Sequence, residues 1–165
     1  MEHSSLEILV ALTDEEQEAR RQWFRSRWET GVPFNRYCRL RATRWDPEAV
    51  VLHLPFRQEL SAHEEIFHGG VLAALIDTCG SGAVMAGHDF AKGSRSTTIS
   101  MSVQYLSAVR GEDVVASGIC TRRGRSVHFA DVVVSGARSG QEVARGHVAV
   151  NIAGERADTP WNRAA

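Results

Sequence analysis

From residue 97 to 106 the chain runs TTISMSVQYL, in which Ile99, Met101, Val103 and Tyr105 alternate with Thr98, Ser100, Ser102 and Gln104. A period of two predicts a strand with one buried face and one polar face. Three more strands are predicted over 112–121, 126–136 and 142–152, parted at Arg123-Gly124 and Ser139-Gly140, where glycine allows tight hairpins. Four antiparallel strands in series predict a meander. Upstream the pattern changes. In GGVLAALIDTCGSGAVMAG, from Gly69 to Gly87, nearly every residue is apolar or very small, which predicts a helix over about 70–86 that is buried on every side. Residues 13–30 predict another helix, opened by the capping box Thr13-Asp14-Glu15-Glu16 and carrying Trp23, Phe24 and Trp28 on one side. Its acids and arginines cover the rest. After the breaker Gly31-Val32-Pro33, residues 36–43 and 49–56 predict two strands joined by the turn Trp45-Asp46-Pro47-Glu48, followed by a polar, irregular stretch over 57–67. One fully apolar helix in a chain with one curved sheet is most simply wrapped by that sheet, an α+β arrangement.

A chain of 165 residues with 43% hydrophobic residues holds one core. The expected division is a helical extension over 1–34 packed on the domain, the domain itself over 35–153, and a polar tail over 154–165. Nineteen basic against twenty acidic residues leave a formal charge of −1, with no field to attract nucleic acid or an anionic membrane. Cys38, Cys79 and Cys120 match neither a disulfide framework nor a metal-ligand spacing, and predict reduced thiols in a cytoplasmic protein with no metal and no cofactor. The N-terminal residues lack the basic region and apolar core of a signal peptide. Asp77 and five glycines interrupt the most apolar segment, so no membrane span is expected.

Asp77 is the only ionisable carboxylate of the apolar helix, and an acid in such a place is paired or used. Burial makes a carboxylate a competent base near neutral pH. At the helix start, Gly69 and Gly70 leave backbone amides open to a carbonyl oxygen, and the helix dipole adds partial positive charge. His68 precedes them. Nine residues separate His68 from Asp77, roughly 13 Å along a helix, so the two cannot serve one reacting atom from the same chain. A twofold dimer would join one subunit's glycines to the other's acid. Small residues, Ala73, Ala74, Gly80 and Ser81, surround Asp77, and the Ser81 hydroxyl can reach a carboxylate or water. The plainer alternatives are that Asp77 caps a helix break or pairs with an arginine, and that His68 bonds the backbone at the helix entry. Thioester cleavage suits these groups: a polarised carbonyl and an activated water suffice, because a thiolate with a pKa near ~8.5 leaves with little help.

The string from His68-Gly69-Gly70 through Asp77-Thr78, with Val103-Gln104-Tyr105-Leu106 and Gly124-Arg125 in order behind it, resembles the hotdog-fold acyl-CoA thioesterases of the phenylacetate-degradation (PaaI-like) group, over roughly residues 48–152. The resemblance implies a hotdog fold, a curved antiparallel sheet round one long helix, here with an extra N-terminal helix. It also implies a homo-oligomer, a dimer that extends the sheet or a dimer of dimers. Carried over residue by residue, it implies Asp77 as general base or nucleophile, the Gly69 amide as oxyanion donor, and His68 as the group that orients the thioester. Ser81 and Thr98 stand where relatives keep hydroxyls near the acid, and Gly70 adjoins the bound substrate. The implied substrate is an acyl-CoA with a medium-chain or aromatic acyl group. Arg122, Arg123 and Arg125, at one predicted hairpin tip, are candidates for the coenzyme A phosphates. The pattern departs from the family six and three residues before the histidine, where Ala62 and Glu65 replace the usual Asn or Gln and Gly. That departure keeps open a non-catalytic acyl-CoA-binding or sensing protein. A hotdog dehydratase ranks last, because its Asp-x-Asn-Pro-x-x-His pattern is missing.

Overall fold

A computed structural model describes residues 12–47 and 49–153. The expected polar tail over 154–165, the N-terminal residues 1–11 and Glu48 of the predicted turn lie outside the described residues. Helix α1, Asp14–Thr30, opens on a capping box. The Thr13 N–H donates to Glu16 Oε2 at 2.7 Å, and the Glu16 N–H donates back to Thr13 Oγ1 at 3.3 Å. The helix docks through aromatic contacts: Phe24 stacks on Phe90 with centroids 4.9 Å apart, and Trp28 lies 5.6 Å from Trp45. Arg20, expected on the polar side, is instead fully buried, its guanidinium 5.4 Å above the Phe90 ring. A flat, weakly hydrated guanidinium can take such a place where an ammonium could not.

The first predicted strand begins later than its pattern suggests. Pro33–Cys38 is a short helix, α2, started by proline at its first position and ended by Arg39 in the left-handed region at φ 57°. Asn35 Nδ2 ties it to the Trp28 carbonyl at 2.7 Å. Strands β1, Arg41–Trp45, and β2, Val50–Leu54, then form the hairpin. The stretch expected to be irregular holds a turn of 3-10 helix, Gln58–Leu60, and a small hairpin of β3, Ser61–His63, and β4, Ile66–Phe67. Helix α3, Gly69–Ala86, follows at once.

The remaining strands are β5, Arg95–Tyr105, β6, Val114–Arg123, β7, Val127–Gly136, and β8, Glu142–Ala153. They join β1 and β2 in one antiparallel sheet of order β1-β2-β6-β7-β8-β5, wrapped on α3. The expected four-strand meander is therefore three, β6 to β8. Strand β5 comes first in the chain but pairs with β8 at the edge, because alternation marks a strand without naming its neighbour. Nor is the predicted apolar face of β5 buried within this chain: Ile99, Met101 and Tyr105 are exposed and Val103 half-buried.

Helix and sheet approach closely at glycines. A Cβ on Gly146 would lie 2.4 Å from Ile76 Cγ2, and one on Gly80 would lie 2.7 Å from Val148 Cγ2. Burial on every side holds for the C-terminal half of α3, residues 79–86, but not for its N-terminal half, where Gly70 is exposed and Asp77 half-buried. By length and a hydropathy of 1.4, α3 is the one described helix apolar enough to pass for a membrane span, but 61% of it is buried inside the domain, as a core helix is. Its apolarity is used against the sheet.

Candidate active site

Three of the predicted site residues meet around the acid. The Thr98 hydroxyl donates to Asp77 Oδ1 at 2.7 Å, and Ser81 Oγ lies 3.3 Å from Thr98 Oγ1. A hydroxyl has one proton, and that of Thr98 goes to Asp77, so Ser81 is the donor in the second contact. A relay from Ser81 through Thr98 thus supports the carboxylate. Simple alternation places Thr98 on the polar face of β5. A break in register between Thr98 and Ser100 instead sets Thr98, Met101, Val103 and Tyr105 opposite the buried Val150, Val148, Gly146 and Ala144 of β8. One extra residue turns Thr98 toward the helix.

A second group gathers at the start of α3. His68 is the N-cap, and its Nδ1 accepts from the Gly70 N–H at 2.9 Å. The neutral ring then carries its proton on Nε2, which faces away from the backbone. Gly70 is therefore not an open donor. The Gly69 N–H, by contrast, has no partner among the described residues and sits at the positive end of the helix dipole. The Tyr105 hydroxyl donates to the Gly69 carbonyl at 2.8 Å. From the sequence, Tyr105 is placed in a strand and in the motif that carries the resemblance, but is given no role in the site.

Beside Gly69 opens a cleft of about 170 Å³ lined by Phe67, Leu72, Tyr105, Val109 and Val143 among others. From Gly69 to Asp77 the helix rises about 12 Å, so the free amide and the acid of one chain do not converge. Ala62, His63, Glu64 and Glu65 lie exposed in the β3–β4 hairpin. Among the described residues no three His, Cys, Asp or Glu side chains cluster to hold a metal.

The arginines divide. Arg123 turns inward: its Nη1 donates to the Val84 carbonyl at 2.9 Å and its Nη2 to that of Ala83 at 3.5 Å, satisfying carbonyls at the C-terminal end of α3. All three of Arg122, Arg123 and Arg125 are exposed, and it is the bonds to helix carbonyls that set Arg123 apart. This end of the helix lies about 22 Å from Gly69. Nearby, His88 is buried, bonded through Nε2 to the Gly93 carbonyl at 3.0 Å, and 5.5 Å from the His128 ring. Burial pushes the His88 pKa down to about 4 and lowers that of His128. Burial also pushes the Cys79 thiol up, which makes it an inert core residue.

Residues 64–142, a stretch running from the β3–β4 hairpin through α3 into β8, match the family described as the Thioesterase superfamily. That stretch is similar to the thioesterase superfamily. A Halobacterium salinarum protein named as an esterase is 35% identical over 86 residues, 50% of this chain. That match spans 56% of the haloarchaeal relative, little more than half its length. Mouse acyl-coenzyme A thioesterase 13 is 24% identical over 101 residues, 61% of this chain and 70% of its own. The crystal structure of a Shewanella oneidensis protein related to the superfamily superimposes with a TM-score of 0.73 at 23% identity, over 82% of this chain and 97% of that one. The hotdog architecture of that neighbour, an antiparallel sheet round a long helix, is the fold of this chain, in which the N-terminal helix α1 also packs on the domain.

Proposed function

We propose that this protein is an acyl-CoA thioesterase that hydrolyses a medium-chain or aromatic acyl-CoA to the free acid and coenzyme A. The observation that carries the reading is one helix bearing both a Gly69 amide with no partner among the described residues, beside an apolar cleft, and, two turns on, a carboxylate held by a hydroxyl relay. The name of the mouse relative supports the substrate class. In the step we envisage, Asp77 as general base takes a proton from water while the oxygen bonds to the thioester carbon; in the nucleophilic variant its own oxygen bonds there first, and after the thiolate leaves, water hydrolyses the acyl-Asp77 anhydride to the free acid and the carboxylate. The carbonyl oxygen becomes an oxyanion at the Gly69 N–H, His68 orients the thioester, and the intermediate expels the coenzyme A thiolate.

The 12 Å between amide and acid is met by a homodimer. The free edge of β5, with Ile99, Met101 and Tyr105 exposed, suits a twofold extension of the sheet, which would bring the Gly69 of one subunit to the Asp77 of the other. A dimer of dimers is compatible with this, as is a cytoplasmic location for a chain with three unpaired cysteines. The cleft supports the acyl class. A cavity of roughly 150 Å³ lined by apolar side chains holds benzene, so this one matches a six-carbon ring or chain. Exposed Arg122 and Arg125 are the arginines left for the phosphates.

The test is release of free coenzyme A from short, medium, long and aromatic acyl-CoAs, with Asp77→Asn beside the wild type. Turnover that is highest for six- to eight-carbon or aromatic substrates and disappears in the variant is the expected result. Saturable binding without turnover would favour the acyl-CoA-binding reading, for which the Ala62 methyl in place of an amide is the specific support.

A further inference from the structure

Gly69 and Gly70 have no Cβ to restrict rotation, yet an oxyanion donor is useful only when its N–H is aimed within a narrow cone. Something besides sterics must hold this turn. The peptide unit that joins Gly69 to Gly70 is gripped at both ends. Its carbonyl oxygen accepts from the Tyr105 hydroxyl at 2.8 Å, and its N–H donates to His68 Nδ1 at 2.9 Å. The Tyr105 ring supports the same unit from the side, 3.4 Å from where a Cβ on Gly69 would stand. The adjoining peptide unit carries the free Gly69 N–H, and rotation about the Gly69 dihedrals is what would turn one unit relative to the other.

We propose that Tyr105 is a positioning residue: its hydroxyl, together with His68 Nδ1, clamps the Gly69–Gly70 peptide and thereby aims the Gly69 N–H at the thioester oxygen. The proposal rests on the thioesterase reading above for its catalytic meaning, but the clamp itself can be measured without turnover. It also ties the two groups of site residues together, because β5 carries Thr98 to Asp77 and Tyr105 to Gly69 on one face. A shift of β5 would disturb both.

Tyr105→Phe keeps the ring and removes the hydroxyl. In steady-state hydrolysis of the best acyl-CoA the expected result is a kcat lower by about tenfold, since misaiming a donor costs less than the 10²–10³ of deleting one. KM, melting temperature and sedimentation coefficient stay as in the wild type. An unchanged kcat, or a lower kcat matched by a loss of stability or of oligomer, overturns the proposal. Amide hydrogen exchange followed by NMR is the second measurement. The Gly70 N–H is expected to exchange at least severalfold faster in Tyr105→Phe, while amides in the middle of α3 do not change. Equal exchange at Gly70 in both proteins overturns the clamp. Faster exchange in a protein whose wild type hydrolyses nothing upholds the clamp and defeats the thioesterase reading instead.

Discussion

The two halves of α3 are built from the same kind of residue, and the fold treats them oppositely. From Cys79 to Ala86 every residue is buried, glycines let Val148 and the sheet close in, and Arg123 satisfies the last carbonyls. From Gly69 to Thr78 the helix is half open, its first amide has no partner among the described residues, and its acid is held by a threonine from the edge strand. One half consumes its polar groups for stability, and the other leaves them available. A helix of uniform apolarity can thus hold a structural end and a reactive end, and what distinguishes them is the company each keeps.

Variants should separate the halves. Asp77→Asn is expected to lower kcat by ~10³-fold, the scale of a lost general base, while the melting temperature stays within a degree or so of wild type. A folded variant that retains turnover would break the comparison at its reactive end. At the other end, Gly118→Val forces a side chain against Cys79 and Ala83 and should destabilise by about 1–3 kcal/mol in urea unfolding, with kcat per folded molecule unaltered. Arg123→Met, which strips two donors from the α3 carbonyls, is expected to cost about 1–2 kcal/mol and leave the KM for acyl-CoA unchanged. A higher KM at constant stability would return Arg123 to the phosphate role that its sequence context suggests.

Smaller effects sharpen the picture. Thr98→Val should lower kcat by roughly tenfold and Thr98→Ser should restore most of it, because only the hydroxyl proton supports Asp77. The buried end should show a pH dependence of stability. His88 is held neutral, with its pKa at about 4 against 6.5 for the free side chain, so below pH 6.5 the unfolded chain binds the extra proton. This contribution is full above pH 6.5 and is lost as the pH falls toward 4. Melting temperature should fall over that window, and less steeply in His88→Asn. Equal slopes would remove His88 from the account.

Local patterns in the chain were enough wherever an element depends on near neighbours. The apolar run predicted α3, the capping box predicted the start of α1, and the alternation of 97–106 predicted a strand, each from residues a few positions apart. The motif around His68 and Asp77 pointed to a hotdog thioesterase domain, because backbone amides at a helix start and a lone acid within it are local facts. Where the pattern failed, the deciding contact was distant. Residues 36–38 are predicted to open a strand, but Pro33 at the helix start and the bond from Asn35 to Trp28 make them helical. The partner of β5 lies some fifty residues on, and the bulge that turns Thr98 onto Asp77 exists only once β8 is paired. Arg123 reads as an exposed hairpin cation until the end of α3 offers it carbonyls, and Tyr105 is one more strand residue until Gly69 is beneath it. Periodicity reports which way a side chain faces within its own element. Which group waits on the other side is decided by tertiary packing, through contacts that cost chain entropy to form and leave no trace in the neighbouring residues.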